Sequence, residues 1–289
     1  MSALPATMKA VEISAPGGPE VLKPVERPLP NIKAHEVLIK VKATGINGPD
    51  IMQRKGLYPA PAGASDLPGL EVSGEIVAKG ASVTRWSAGD LVVALTNGGG
   101  YAEYVAVDAE HCLSVPKGIS LLDAAGLPET FFTVWSNVFI GAGLKAGETF
   151  LVHGGAGGIG TTCIQLGKAF GAKVIATDSP ADRCRICSDL GADRVVDYRA
   201  EDFVEAVRSE GGANVILDIV GGANIEKNFK AASHDARIIQ LAFAAGSKVE
   251  INLMPVMLKR LTYTGSTLRT RPDAYKARIA RELEAQVWP

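Results

Sequence analysis

The stretch from Phe150 to Gly160, FLVHGGAGGIG, places three glycines in the pattern Gly155-x-Gly157-x-x-Gly160. Alone the pattern is weak; it gains meaning directly after a strand and directly before a helix, and both flanks have those characters here. Gly155 is expected to permit the tight turn. Gly157, lacking a side chain, would let a pyrophosphate reach the backbone, and Gly160 would let the helix pack close to the strand. A helix N-terminus opening on this loop offers free N–H groups and a partial positive charge to phosphate oxygens. The chemistry implied is dinucleotide binding.

Eighteen residues past Gly160 the second strand of this region ends at Asp178, followed by Ser179 and Pro180. An acidic side chain there can accept hydrogen bonds from an adenosine ribose and would repel a 2′-phosphate, which favours NADH. It could also simply cap the next helix. Arg183 opens that helix and Tyr198 ends the third strand; both could face the same ribose and favour NADPH. The residues leave the two cofactors open.

The elements that must position these groups fall into two kinds. MKAVEIS, EVLIKVKATGI, SGEIVAKG, DLVVALT and AEYVAVD are short β-branched runs punctuated by Gly, Pro and Asn, which predicts a compact antiparallel barrel-like domain. From Leu121 to Gly143 apolar residues recur at helical spacing. Strands then alternate with helices: ETFLVHGG and IGTTCIQLGKAFG, KVIATD and DRCRICSDLG, VVDY and AEDFVEAVRSEG, NVILDIV and GANIEKNFKAAS, with RIIQLAF and LTYTGST closing the series. Apolar strands alternating with amphipathic helices predict a parallel sheet covered on both faces. The expected fold is α/β, with domains at 1–129 and 130–266. A return towards the first domain at 267–289 reads as cut short.

Lys plus Arg number 30 and Asp plus Glu 31, a formal charge of −1, which argues against a nucleic-acid binder. No apolar run reaches the roughly 18 residues that cross a bilayer, and MSALPATMKA lacks the pattern of a secretory signal. Four scattered cysteines suit a reducing cytoplasm, the expected location. Cys184 and Cys187 form a CxxC inside a helix without a second CxxC or histidine pair, and read as a helix face.

Several segments, in order GINGPDIMQRKGLYP, LPGLEVSGEI, WSAGDLVVAL, GGGYAEYVAV, LPETFFTVW and VHGGAGGIG, resemble the zinc-independent quinone oxidoreductase branch of the medium-chain dehydrogenase/reductase superfamily, the zeta-crystallin-like enzymes. The resemblance runs from Met8 to Trp288. It implies a GroES-like catalytic domain joined to a Rossmann dinucleotide domain. Asn47 and Asp50 of an N-x-x-D loop and Thr133 match family positions, with Asn47 and Thr133 near the nicotinamide; Tyr58 is expected to join Asn47 and Asp50 in the wall opposite the nicotinamide. The backbone of Gly157, Gly158 and Ile159 would hold the pyrophosphate. Asp178, Ser179, Arg183 and Tyr198 would lie at the adenosine end, and Phe243 and Leu268 beside the nicotinamide. The family implies NADPH, while Asp178-Ser179-Pro180 replaces its usual Ala-Gly-Ser and keeps NADH possible. Zinc-dependent relatives carry Cys at Asn47 and His at Leu70, so no metal is expected.

The expected reaction moves a hydride to a quinone or similar flat carbonyl acceptor, mostly by positioning. No side chain is required as a general acid, since a hydroquinone oxygen can take its proton from water. Asn47→Ala is expected to slow turnover with little loss of stability. An alkenal or enoyl reductase on the same scaffold is the alternative, and a non-catalytic dinucleotide-binding redox sensor a more distant one. The family's edge strand, here Leu261 to Gly265, implies a homodimer or homotetramer, and an unpaired apolar edge calls for burial independently.

Overall fold

The computed structural model describes residues 4–289 and divides the chain into two compact units. One runs to Phe132 and resumes at Arg269–Pro289; the other is Thr133–Leu268.

In the first unit, β1 (Thr7–Ile13) and β2 (Leu22–Pro28) form an antiparallel pair. A five-stranded antiparallel sheet contains β3 (Glu36–Thr44), β4 (Glu71–Lys79), β5 (Leu91–Leu95), β6 (Tyr104–Asp108) and β7 (Cys112–Ser114), in the order β6-β3-β4-β5-β7. Alternate residues of four strands, Val37 and Ile39, Val72 and Ile76, Val92 and Ala94, Val105 and Val107, form one buried cluster, the two-residue period that a single core-facing surface demands. Helix α1 (Gly48–Arg54) lies between β3 and β4, and α2 (Pro128–Val134) follows β7.

The second unit holds β8 (Thr149–His153), α3 (Gly158–Ala169), β9 (Lys173–Asp178), α4 (Ala181–Asp189), β10 (Arg194–Asp197), α5 (Phe203–Ser209), β11 (Ala213–Asp218), α6 (Asn224–Ala231), β12 (Ala232–Gln240), α7 (Met254–Leu258) and β13 (Thr262–Gly265). Its six strands are all parallel, in the order β10-β9-β8-β11-β12-β13. Leu151, Ile175, Val196, Ile216 and Ile238, one from each of five strands, pack with Phe203 of α5 and Phe229 of α6. The alternate residues Phe150, Val152, Val174, Val215 and Leu217 are equally inaccessible, so both sheet faces are covered. Strand order reverses at β8, which has β9 on one side and β11 on the other, and that switch point is where open α/β sheets bind ligands beyond their strand ends. The chain then re-enters the first unit, where α8 (Asp273–Gln286) packs on β7 and the turn before it.

Candidate functional site

The glycine loop leaves the C-terminal end of β8. The left-handed residue of its turn is Gly154, with φ +72°, and not Gly155 as the motif suggests. Gly155 is required for packing instead: a Cβ there would lie 2.6 Å from Cys187 Sγ and 2.9 Å from Ala176 Cβ. At Gly160 a Cβ would lie 2.2 Å from the Gly154 carbonyl oxygen, so the close helix–strand approach expected of it is present. Gly157 differs from both. It caps α3 with φ −85°, and a Cβ would meet only the Gly154 oxygen, at 3.4 Å. Its missing side chain leaves the loop open rather than relieving strain. The first intrahelical donor is Thr161, to Gly157, so the N–H groups of Gly158, Ile159 and Gly160 stand at the start of α3 without a helical acceptor. An open backbone face beside three such donors fits a pyrophosphate.

Asp178 ends β9 beneath this loop, and its carboxylate is fully engaged. Oδ2 accepts from Ala156 N (2.8 Å) and Arg183 Nη2 (3.2 Å); Oδ1 accepts from Ser179 N (2.8 Å) and Arg183 Nε (2.7 Å). Burial alone would push this carboxyl up, but the Arg183 guanidinium and the two backbone donors outweigh it and hold it below the usual range. Asp178 is therefore a clamp on the loop whose charge Arg183 neutralises. Tyr198, exposed just after β10, donates its backbone N–H to the Asp178 carbonyl at 3.3 Å, so Asp178, Ser179, Arg183 and Tyr198 are gathered at one place. Ser179 Oγ is the one buried side-chain oxygen among the described residues without a hydrogen-bond partner. Phe243, 45% exposed, follows β12 and rests on Gly221, where a Cβ would lie 2.7 Å from its ring. Leu268 is half-buried, and the Thr133 carbonyl accepts from Ser136 Oγ and Asn137 Nδ2.

The second group of candidates lies in the first unit. Asn47 caps α1, and Asp50, buried in the first turn, accepts from its N–H at 2.9 Å. The Asp50 carboxylate also accepts from Gly69 N (3.0 Å) and Tyr101 Oη (3.2 Å). Asn47 Nδ2 donates to Glu71 Oε1 at 2.7 Å, and Glu71 Oε2 accepts from Glu129 N at 2.9 Å. Glu71 is buried on β4, and burial pushes its carboxyl and that of Asp50 up against these donors. Tyr58 is half-buried with the Arg269 guanidinium 5.6 Å from its ring centroid; burial, with the nearby Glu129, raises its phenol. Arg269 donates to Asn97 O and Gln53 Oε1, and Lys276, 1% exposed, donates to Asn97 Oδ1 and Arg269 O. Glu71, Tyr101 and Glu129 lie inside segments that carry the family resemblance but receive no role from it, and Arg269 and Lys276 lie in none of those segments. The only sequence signal for the acids is a carboxylate set among apolar residues, in GLEV and LPETFF.

The alcohol dehydrogenase GroES-like domain family matches residues 33–117, and the zinc-binding dehydrogenase family matches residues 158–284. Human quinone oxidoreductase is 33% identical over 288 residues, spanning 96% of this chain and 85% of that protein; the Lama guanicoe quinone oxidoreductase is 34% identical over the same spans. Among solved structures, Escherichia coli quinone oxidoreductase complexed with NADPH aligns with a TM-score of 0.84 at 29% identity, covering 97% of this chain and 88% of the other. The CurK enoyl reductase aligns with a TM-score of 0.86 at 26% identity, covering 98% and 88%.

The residues do not fit the zinc that one of these family descriptions implies. Asn47 turns an amide N–H towards Glu71, Leu70 is apolar and buried, and no three His, Cys, Asp or Glu among the described residues gather as a ligand set. With both domain families matched in order and relatives above 30% identity along nearly the whole chain, this chain belongs to the quinone oxidoreductase family of the medium-chain dehydrogenase/reductase superfamily.

Proposed function

We propose that the protein is an NAD(P)H-dependent quinone reductase of the cytoplasm that delivers a hydride to a quinone or similar small carbonyl acceptor. The observation that carries this reading is the open backbone cradle at Gly157–Gly160, in a chain related along its length to quinone oxidoreductases. The bound nicotinamide would supply the hydride. The residues would do the rest: α3 would hold the pyrophosphate, Asp178 holds the loop, and Phe243, Leu268 and Thr133 would flank the nicotinamide. Asn47 and Tyr58 would face the acceptor, with Asp50 fixing the backbone of Asn47.

NADPH is the proposed cofactor. Asp178 has its oxygens occupied and its charge matched, so it offers a ribose neither free acceptors nor uncompensated repulsion, while the Arg183 side chain remains partly exposed to a 2′-phosphate. Oxidation of NADPH and NADH with 9,10-phenanthrenequinone as acceptor tests both parts. The expected result is faster turnover with NADPH, and an Arg183→Ala variant that loses roughly ten- to a hundredfold in kcat/KM for NADPH only, as loss of a charge-assisted contact implies. An NADH preference in the parent protein would make Asp178 the selector after all. No oxidation of either cofactor would remove quinones from the reading. Enones, the substrates of the alternative, would then remain, a choice that the acid cluster around Glu71 also favours because an enolate product needs a proton.

A further inference from the structure

At the C-terminal ends of β8, β9 and β11, four buried side chains form one directed chain of hydrogen bonds. Asp218 offers only acceptors, so Asn228 of α6 turns its amide Nδ2 to Asp218 Oδ2, at 2.9 Å, and its Oδ1 to His153 Nε2, at 2.8 Å. His153 Nε2 must then carry a proton. Burial keeps the ring neutral despite the nearby Asp218, so Nδ1 is bare and accepts from Thr177 Oγ1 at 2.8 Å.

Each end of this chain holds a loop. The Thr177 carbonyl accepts from Gly154 N (2.9 Å) and Gly155 N (3.0 Å), where the glycine loop leaves β8. Asp218 Oδ1 accepts from Val220 N (2.6 Å) and Gly221 N (3.1 Å), in the loop after β11. That loop pairs with the one after β12: Ala245 N donates to Val220 O (2.7 Å) and Gly222 N to Gly246 O (2.8 Å). Phe243, proposed above to lie beside the nicotinamide, belongs to this last loop. The ladder between β8 and β11 ends at Val152 and Leu217, so beyond it side chains connect the glycine loop to the other two.

We propose that His153 and Asn228 are positioning residues for the cofactor, fixing the loops after β11 and β12 against the glycine loop, an inference that rests on the cofactor reading above. At 1% and 0% exposed, neither side chain can touch a ligand; each acts through the loops it holds. A cofactor that spans both sets of loops gains from having them aligned beforehand, and loses affinity when it must align them itself. A ligand held by the glycine loop and the Asp178–Arg183 end alone has no such loss.

The test compares two ligands by calorimetry: whichever of NADPH and NADH the parent protein binds more tightly, and the same molecule without its nicotinamide ring (2′-phospho-ADP-ribose or ADP-ribose). His153→Phe and Asn228→Leu break the joint from either side. In each, once a thermal transition shows it folded, affinity for the whole cofactor should fall about tenfold, as loss of a buried hydrogen bond implies, while affinity for the ringless form stays unchanged. His153→Gln, whose amide can donate to Asn228 Oδ1, should recover most of the loss. In the parent protein labelled with ¹⁵N at histidine, His153 should appear as the neutral ring with its proton on Nε2. An Nδ1–H ring, variants that bind the whole cofactor like the parent, or variants that lose both ligands alike overturn the positioning role and leave the cofactor reading intact. A ringless form that the parent fails to bind overturns it too, because the glycine loop would then hold nothing by itself. A parent protein that binds neither NADPH nor NADH overturns the cofactor reading itself, whatever the ring's tautomer.

Discussion

Asn47 and Gly157 show how far a residue's type foretells its work. Asn47 reads as an active-site amide whose loss would leave stability untouched. In the structure its Nδ2 is one of two donors to the buried Glu71 carboxylate, so truncation leaves a buried charge under-satisfied. Asn47→Ala should therefore cost about 1–3 kcal/mol of unfolding free energy as well as turnover, measurable by urea denaturation. A variant as stable as the parent would mean that water replaces the amide. Gly157 makes the opposite case. A Cβ fits its backbone and meets one atom at ordinary contact distance. Gly157→Ala should fold with an unchanged Tm yet weaken NADPH binding at least tenfold, because the methyl stands where the pyrophosphate must approach. Cofactor affinity like the parent's would move the phosphates off this residue. The spacing of the glycines was readable because a phosphate demands it. The division of labour among Gly154, Gly155 and Asp178 was not, since it depends on Cys187, Ala176 and Arg183, which reach the loop only after folding.

Among the elements, the alternating strands and helices of the second unit were legible nearly one by one, because both faces of a parallel sheet must be apolar. Two omissions have physical causes. β2, LKPVERP, contains two prolines and polar residues, and survives as a strand because its only partner is β1, leaving its other edge free of ladder donors. α7 is a short helix whose Leu253, Met254, Met257 and Leu258 neighbourhood is exposed, so it shows no core-facing stripe. A third feature is carried by side chains between elements. His153 of β8 bonds Thr177 of β9 and Asn228 of α6, each at 2.8 Å, and Asn228 Nδ2 donates to Asp218 of β11 at 2.9 Å. Asp218 in turn accepts from Val220 and Gly221 N–H groups at the switch point of the sheet. His153, Thr177, Asn228 and Asp218 are all buried, and burial holds the His153 imidazole below its usual pKa despite the nearby Asp218. Asn228→Leu strands one polar partner on each side, and should lower stability by about 2–4 kcal/mol, more than one surface hydrogen bond would. Chemical denaturation decides this, a change under about 0.5 kcal/mol being the contrary result.

For the whole chain, what remained unreadable is contact between distant segments. Gln53 and Arg269 meet across 216 residues, and no local pattern announces that the segment from Arg269 brings a guanidinium and a buried ammonium to the Asp50–Glu71–Glu129 cluster. The edge of the parallel sheet, by contrast, was legible as a liability, and it supports a definite proposal about assembly. β13 pairs only with β12, and its four residues are all exposed. Close by in sequence, Met257 and Leu258 are 65% and 61% exposed. An exposed strand edge with apolar side chains nearby in sequence invites pairing with a second strand, and pairing with its own twin across a twofold axis closes the assembly instead of propagating it. Sedimentation velocity of the parent protein should find a dimer or tetramer. Successive N–H groups along a strand point to opposite sides, so of Tyr263→Pro and Thr264→Pro one must break the β12 ladder and the other the free edge. The first should lose thermal stability. The second should keep the fold of the subunit while shifting the protein towards monomer at micromolar concentration. A parent protein that sediments as a monomer would sink the edge-pairing proposal, and so would two proline variants that both stay assembled.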